Sequence, residues 1–203
     1  MTAPANRPAA DRLLILGGGG MVGLQVAREA ARELRPSEII VSGLTSAEVD
    51  EAVSTLSREA AEHGWGVRFS GAPGDIFLPA SLQGKTRHEL IADGLLFDQL
   101  FDDIFTPDPE AWKNSALVRL IEEHRPDVVV DCINTATAIS YQDVYTTSRR
   151  VKVLLDRLEQ EGAFPAEGIE PFVHSVRELL IAQGVPQIVR HILFLHQALR
   201  ESA

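Results

Sequence analysis

Residues 13–23 read LLILGGGGMVG, and this stretch decides the fold class of the 203-residue chain. The apolar run Leu13 to Leu16 predicts a short buried strand, and the amphipathic segment that starts at Met21 predicts a helix. The glycines between them that fit the pattern G-x-G-x-x-G are Gly18, Gly20 and Gly23. A strand, this glycine pattern and a helix, in that order, are typical of a dinucleotide-binding turn.

Glycine has three physical uses in such a turn. One glycine permits the tight turn because it has no Cβ to clash at positive φ. A second lets the backbone approach a diphosphate, and a third lets the helix pack closely on the strand. The first N–H groups of the helix lack intrahelical acceptors and carry partial positive charge, which favours phosphate binding. The alternative is a glycine-rich turn that binds nothing.

Composition narrows the function classes. The formal net charge is -10 and 45% of residues are hydrophobic, which predicts a globular domain without a broad nucleic-acid-binding surface. No apolar run approaches the roughly 20 residues that span a bilayer, so we expect no membrane partner. The single cysteine, Cys132, rules out an internal disulfide and favours a cytoplasmic protein. Residues 1–10 lack a signal-peptide core and predict a disordered tail.

Strand-like and helix-like segments alternate along residues 11–203. Strands are predicted at 13–16, 38–42, 66–70 and 127–133, and helices at 21–34, 46–63, 109–124, 141–161, 171–183 and 186–200. This alternation predicts an α/β fold, a Rossmann-like parallel sheet of order 3-2-1-4 with helices on both faces. The fourth strand is apolar enough to be covered on both faces. It would nevertheless be an open edge, prone to homo-oligomer formation, if no fifth strand pairs with it.

Three finer features are predicted from local pattern. Ser46 is the expected N-cap of the second helix. The first helix carries an apolar stripe of Val22, Val26, Ala30 and Leu34, and the last helix carries a core-facing stripe of Ile188, Ile192, Leu195 and Leu199. An acidic insertion at about 75–110 predicts a solvated segment with one or two short helices; a lid or partner-binding segment is the alternative.

The chain resembles the N-terminal Rossmann part of an extended short-chain dehydrogenase/reductase, the NAD-dependent epimerase/dehydratase family. Four segments carry the resemblance: the loop at 17–23, Gly74-Asp75-Ile76 after the third strand, the segment 126–134, and the helix 185–200. The resemblance implies an NAD or NADP cofactor and hydride transfer in the complete enzyme, with an unknown small-molecule substrate. The residues that it places around the cofactor's diphosphate are Gly17, Gly18, Gly20, Met21, Val22 and Gly23. It places Asp75 and Ile76 at the adenine, and Ile133 and Asn134 at the nicotinamide-side ribose.

The sequence departs from that family in its catalytic groups. The family's Ser and Tyr-x-x-x-Lys lie beyond the helix at 185–200, and we assign no catalytic residue. Tyr145 and Arg149 have the right spacing, but an arginine stays protonated and cannot replace a lysine of tunable pKa. Two alternatives to an oxidoreductase or epimerase therefore stay open: a non-catalytic nucleotide-sensing or regulatory module, and a fragment of a saccharopine-reductase-like protein.

The end of the second strand leaves the choice between NAD and NADP open. The acid that binds the ribose 2′-hydroxyl is expected about 20 residues after the glycines. Here the sequence reads Ser42-Gly43-Leu44-Thr45, with no acid until Glu48. Ser42 or Thr45 could donate to a 2′-phosphate, but no nearby Arg or Lys supplies positive charge.

Other reactive side chains receive plainer interpretations. No metal site is predicted, because His191 and His196 are five residues apart and lie roughly 140° apart around a helix. Cys132 is expected to fill space as a small apolar residue. Asp131 either borders the cofactor or caps the turn that follows the fourth strand.

Overall fold

The computed structural model describes residues 10–105, 110–133, 144–162, 169–182 and 184–202. These residues divide into two compact units. Unit 1 comprises the described residues within Met1–Ile76, Ala116–Asn134 and Ala198–Ala203, and unit 2 those within Phe77–Ser115 and Thr135–Gln197. Of the tail predicted at residues 1–10, only Ala10 is among the described residues.

Unit 1 contains a parallel sheet. Its strands among the described residues are β1 (Arg12–Leu16), β2 (Glu38–Gly43), β3 (Arg68–Pro73) and β4 (Val128–Asp131). They lie in the order β3-β2-β1-β4, which confirms the predicted α/β Rossmann-like fold. In the register, Leu13 pairs with Ile39 on one side and with Val128 on the other.

The described helices begin and end as follows. They are α1 (Met21–Glu29), α2 (Ser46–His63), α3 (Arg87–Ala92), α4 (Gly94–Phe105), α5 (Ala116–His124), α6 (Val144–Glu161), α7 (Glu170–Ile181) and α8 (Gly184–Ser202). A π-helical segment, Ala30–Leu34, continues α1, and short 3-10 turns occur at Ala80–Leu82 and Ala111–Asn114. None of the helices in the described ranges is long and apolar enough to cross a membrane.

The centre of unit 1 is β1, which is buried on both faces. Leu13 and Ile15 belong to one apolar cluster with Ala27 of α1 and Leu56 of α2. Side chains alternate along a strand, so Leu14 and Leu16 point to the opposite face, and both are 0% exposed. A strand covered on both faces holds the glycine loop that follows it in a fixed position.

The bounds of α2 are those predicted, but its N-cap is not. Thr45, not Ser46, is the N-cap, and its hydroxyl oxygen accepts a hydrogen bond from the backbone N of Glu48 at 3.3 Å. The reason lies in the backbone, since Thr45 has the extended conformation of a cap while Ser46 is already helical. The predicted stop at Gly64 is confirmed, with a left-handed φ of 68°.

The buried face of α1 is not the predicted stripe. Gly23 and Ala27 of α1 and Ala30 and Ala31 of the π-helical segment are buried, whereas Val22 and Leu34 are exposed. The physical reason is the closeness of the packing, because small residues let the helix approach the loop and the sheet. The prediction of an apolar stripe through Val22, Val26, Ala30 and Leu34 is therefore wrong at both ends.

The strand β4 occupies an edge of the described sheet. Its neighbour is β1 on one side only, and Val128 is 38% exposed. The expectation that this strand is covered on both faces is wrong, because none of its residues is fully buried and Val128 and Val130 line an open groove beside it. The alternative expectation, an open edge, holds for the residues that the structure describes.

Unit 2 has an apolar core of its own. The predicted insertion contributes most of it, and the buried residues are Leu78, Leu82, Leu90, Ile91, Phe97, Leu100, Ile104 and Ile181. The short helices predicted around residues 88–103 are present as α3 and α4. The expectation of a mainly solvated segment is wrong for its apolar side chains, because α7 supplies Ile181 to cover them.

A buried ion pair also lies in unit 2. The guanidinium of Arg190 on α8 contacts the carboxylate of Asp103 on α4, and each side chain is 9% exposed. Nη1 of Arg190 donates to the backbone oxygen of Phe77 at 3.3 Å, and the guanidinium lies 4.4 Å from the ring centroid of Phe194. Burial raises the pKa of Asp103 and lowers the pKa of Arg190, because each charge has lost water.

This ion pair accompanies a correction on α8. The predicted core-facing stripe is wrong at Ile192, which is 55% exposed, and at Leu199, which is 39% exposed, while Ile188 and Leu195 are half-buried. The buried positions of the helix include Gln187, Arg190, His191 and Ala198. The partners of Arg190 explain the difference, since its charge is paired with Asp103 and its guanidinium lies over the ring of Phe194, and both contacts offset the loss of water on burial.

Candidate functional site

The loop after β1 turns at Gly17. Its φ of 69° lies in the left-handed region, where a residue without a Cβ is favoured. The backbone N of Gly18 donates to the oxygen of Ser42 at 2.8 Å, and the N of Gly20 donates to the oxygen of Gly17 at 3.1 Å. The loop is therefore held both to itself and to the neighbouring strand β2.

Two glycines of the motif are required by packing. A β-carbon on Gly18 would lie 2.8 Å from Cγ1 of Val41, and one on Gly23 would lie 2.3 Å from the oxygen of Gly17. Neither position has room for a side chain. These glycines are explained by the fold itself, whether or not anything binds to the loop.

Gly20 is different. A β-carbon there would have only the Gly17 oxygen nearby, at 3.4 Å, and its φ of -75° and ψ of 166° suit any residue. The fold thus leaves open space on Gly20, at the N-cap position of α1. This is the one glycine of the G-x-G-x-x-G pattern whose small size the surrounding chain does not require.

The amino end of α1 is open to solvent. No side chain caps it, and its first turn contains no acidic residue. The first intrahelical bond runs from the N of Leu24 to the oxygen of Gly20, at 2.9 Å, so the N–H groups of Met21 to Gly23 precede it. Met21 is 91% and Val22 is 65% exposed. These amides and the helix dipole can accept an anionic group such as a phosphate.

The end of β2 places Ser42 beneath the loop. Ser42 is 2% exposed, and its backbone oxygen is the acceptor for Gly18 N. The sequence-based role for its hydroxyl as a donor to a 2′-phosphate stays a prediction. What the structure adds is that the backbone of Ser42 anchors the glycine loop.

A residue that the sequence reasoning had set aside reaches the loop as well. Oε1 of Glu48 lies 2.8 Å from the position that a β-carbon on Gly19 would take, and Oε2 lies 3.5 Å from the corresponding position on Gly43. Glu48 is in the first turn of α2, beyond the strand end that the motif specifies. A signal that could have found it is the Thr45 cap, which sets Glu48 in the first turn of that helix.

The segment after β3 adjoins the same strand end. The backbone N of Gly74 donates to the oxygen of Gly43 at 2.9 Å. Ile76 is buried, at 7% exposed, and Asp75 is half-buried. Their adenine-binding roles stay predictions that come from the family resemblance.

The end of β4 passes against Gly17. Cγ1 of Ile133 lies 3.1 Å from the position of a β-carbon on Gly17, and the N of Cys132 donates to the oxygen of Leu16 at 2.9 Å. Oδ1 of Asp131 accepts a hydrogen bond from the N of Ile133 at 3.0 Å, which is the turn-capping role weighed for it. The remaining predicted site residue, Asn134, lies outside the described residues.

Reactive side chains do not assemble elsewhere in the described ranges. No group of three or more His, Cys, Asp or Glu there could hold a metal ion. Burial, and next the charge of Asp131, raise the pKa of the Cys132 thiol, so the thiolate is disfavoured. His191 lies in unit 2 with its ring centroid 5.1 Å from that of Phe77.

An apolar groove runs beside the edge strand of unit 1. Its volume is about 380 Å³, and its lining residues are Leu13, Gln25, Val26, Glu29, Ala30, Glu33, Leu34, Val128 and Val130. The groove explains the exposure of Leu34 and Val128, which line it together. It adjoins β4, whereas the glycine loop follows β1.

No protein-family model, curated protein or solved structure matches this chain.

Proposed function

We propose that this chain binds the diphosphate of an NAD-type dinucleotide at the glycine loop. One observation carries the proposal: Gly20, at the amino end of α1, has open space where a side chain could stand, while Gly18 and Gly23 are packed. An uncapped helix whose own first turn contains no acid favours an anionic ligand. Rossmann-like sheets bind ligands at the carboxyl ends of their strands, which is where this loop lies.

The residues that would hold the cofactor follow from this placement. Gly17, Gly18 and Gly20 shape the loop, the amides of Met21, Val22 and Gly23 face the diphosphate, and the turn at Ile133 borders the loop. From the family resemblance we further propose adenine contacts with Asp75 and Ile76. A bound nicotinamide would supply hydride transfer, and the protein's part is to bind and orient it.

From the family resemblance we further propose that the complete enzyme is an oxidoreductase or an epimerase-like short-chain dehydrogenase. The chain contains two tyrosines, Tyr141 and Tyr145, and neither is followed by Lys four residues later. The reaction and its small-molecule substrate are therefore proposed for a complete enzyme, while dinucleotide binding is proposed for this chain. A cytoplasmic location and self-association through β4 belong to the same proposal.

A second candidate is a non-catalytic module that senses a nucleotide. The absence of a Tyr-x-x-x-Lys pair from these 203 residues favours it. Both candidates require dinucleotide binding, and they separate at turnover. A chain that binds NADH tightly yet oxidises it with no tested carbonyl substrate supports the sensing module; turnover supports the enzyme. A fragment of a saccharopine-reductase-like protein is a third candidate, and the same loop would bind its dinucleotide.

The binding experiment uses NADH fluorescence. We expect the wild-type chain to enhance and saturate it, and Gly20→Val to weaken binding by at least about tenfold, because its side chain would fill the space open to the phosphates. The matched control is Gly66→Val, since Gly66 also has open space around it but lies outside the loop. Equal affinity of the wild type and Gly20→Val, or no binding by the wild type, contradicts the proposal.

A further inference from the structure

The carboxylate of Glu48 spans two glycines at the proposed site. Its Oε1 is directed to Gly19, in the loop after β1, and its Oε2 to Gly43, at the end of β2. Both positions lack side chains, so the carboxylate lies against backbone. A β-carbon on Gly19 would fall 2.7 Å from Cγ of Glu48, so the glycine at that position is what gives this side chain its place.

Glu48 reaches this place because Thr45 caps α2. The Thr45 hydroxyl caps the helix by accepting from Glu48 N, which fixes Glu48 in the first turn. Its neighbour Val49 is 1% exposed, and the first turn is anchored there. No hydrogen bond or ion pair of the Glu48 carboxylate is found among the described residues, and the side chain is only half-buried. Its oxygens are therefore able to accept from a ligand.

The sequence stretch around Glu48 carries charge of one sign. No Lys or Arg occurs between Arg35 and Arg58, while Glu48, Asp50 and Glu51 all lie in this stretch. A phosphate beside Glu48 would meet a like charge, and this stretch supplies no cation to compensate for it. A sugar with two free hydroxyls would instead donate hydrogen bonds to the carboxylate, and such charged hydrogen bonds are among the stronger ones.

We propose that Glu48 selects the unphosphorylated adenosine ribose, so that the site takes NAD and rejects NADP. This inference rests on the proposed dinucleotide binding and narrows it. The motif expects the ribose-binding acid at the end of the second strand. In this chain the acid comes instead from the first turn of the following helix, and Ser42 at the strand end is buried.

The test compares Kd values for NADH and NADPH by nicotinamide fluorescence. We expect the wild type to bind NADH at least about tenfold more tightly than NADPH. Glu48→Gln keeps the shape and removes the charge, so it should bring the ratio of the two Kd values to within about threefold, mainly by strengthening NADPH binding. Glu51→Gln is the matched control, because it removes the same charge from an exposed position of α2.

A second variant tests the geometry without changing any charge. Gly19→Ala would place a methyl group 2.7 Å from Cγ of Glu48, so the Glu48 side chain must change its rotamer and move its carboxylate. We expect Gly19→Ala to shift the NADH/NADPH ratio in the same direction as Glu48→Gln. An unchanged ratio in Glu48→Gln, or a wild type that prefers NADPH, overturns the role of Glu48 while leaving dinucleotide binding in place. A wild type that binds neither nucleotide overturns both proposals.

Discussion

Gly23 packs against Gly17 so closely that a β-carbon on Gly23 would lie 2.3 Å from the Gly17 carbonyl oxygen. We expect Gly23→Ala to lower the free energy of unfolding by about 1–3 kcal/mol, because the helix and loop must separate to admit the methyl group. Gly20→Ala is the control and should stay within about 0.5 kcal/mol of the wild type. Urea unfolding measures both, and equal stability of the two variants would contradict the close contact.

The buried pair of Asp103 and Arg190 predicts that removing one partner lowers the free energy of unfolding strongly, and that removing both partners lowers it much less. Arg190→Met should cost about 3–5 kcal/mol, because it leaves the Asp103 carboxylate buried without its partner. The double variant Asp103→Leu/Arg190→Met removes both charges and should recover most of the loss. As a control, Arg150→Met removes a 58% exposed arginine and should cost less than about 1 kcal/mol. A double variant no more stable than Arg190→Met would argue against the pair.

Asp127 predicts an acid-dependent component of stability. Its Oδ2 accepts from the backbone N of Asp11 at 2.9 Å and of Arg12 at 2.8 Å, and these bonds hold the pKa of Asp127 below its ordinary value of 3.8. A carboxylate with a lowered folded-state pKa adds stability above the unfolded value, and this is lost as pH falls through the folded pKa.

The matching experiment compares wild type with Asp127→Ala by urea unfolding from pH 7 to pH 2. The difference at pH 7 should be about 1 kcal/mol, reduced by the exposure of the site, and should shrink as the carboxylate is protonated. Asp127→Asn keeps an acceptor oxygen and should fall between the two. A difference that stays constant over the whole pH range would show that the charge does not contribute.

Cys132 predicts an unreactive thiol. Burial and the neighbouring Asp131 raise its pKa, so the thiolate is scarce at pH 8. Ellman's reagent should react with the folded chain about tenfold more slowly than with the same chain in urea. Cys132→Ala should leave NADH binding unchanged. A folded thiol as fast as the unfolded one would contradict the effect of its surroundings.

The open edge at β4 predicts self-association of two copies of the chain. Val128 and Leu34 line the groove beside that strand, and an unpaired edge offers its backbone groups to a second chain. Light scattering should show an oligomer that Val128→Lys disrupts, because a charge on the edge opposes pairing. Gln25→Lys, at an exposed groove position, is the comparison. A wild-type protein that stays monomeric at high concentration would contradict the prediction.

Much of unit 1 was predictable from its sequence. The strand β1 is a continuous apolar run, the glycines mark the turn, and Gly64 ends α2 with a left-handed conformation, so local chemistry determines each of these features. The position of Glu48 was not predictable in the same way. It depends on the capping of α2 by Thr45 instead of Ser46, and on the glycines that leave room for its carboxylate.

The buried faces of α1 and α8 were harder still. Apolar periodicity favoured Val22 and Ile192, but close packing selected Gly23 and Ala27 in one helix, and a partner for Arg190 selected a polar face in the other. Periodicity measures how apolar a face is. It does not measure how closely two elements approach or whether a distant acid is available to pair.

The hydrogen bond from Gly18 N to the oxygen of Ser42 has a thermodynamic consequence. This bond holds the loop against the sheet in the folded protein. The conformational entropy of the loop is therefore lost on folding and not when a ligand binds. A ligand that binds a site already rigid in the free protein loses less binding free energy to reorganisation of that site. Calorimetry should accordingly find a small heat-capacity change for loop ordering, and hydrogen exchange at Gly18 should be equally slow before and after loading.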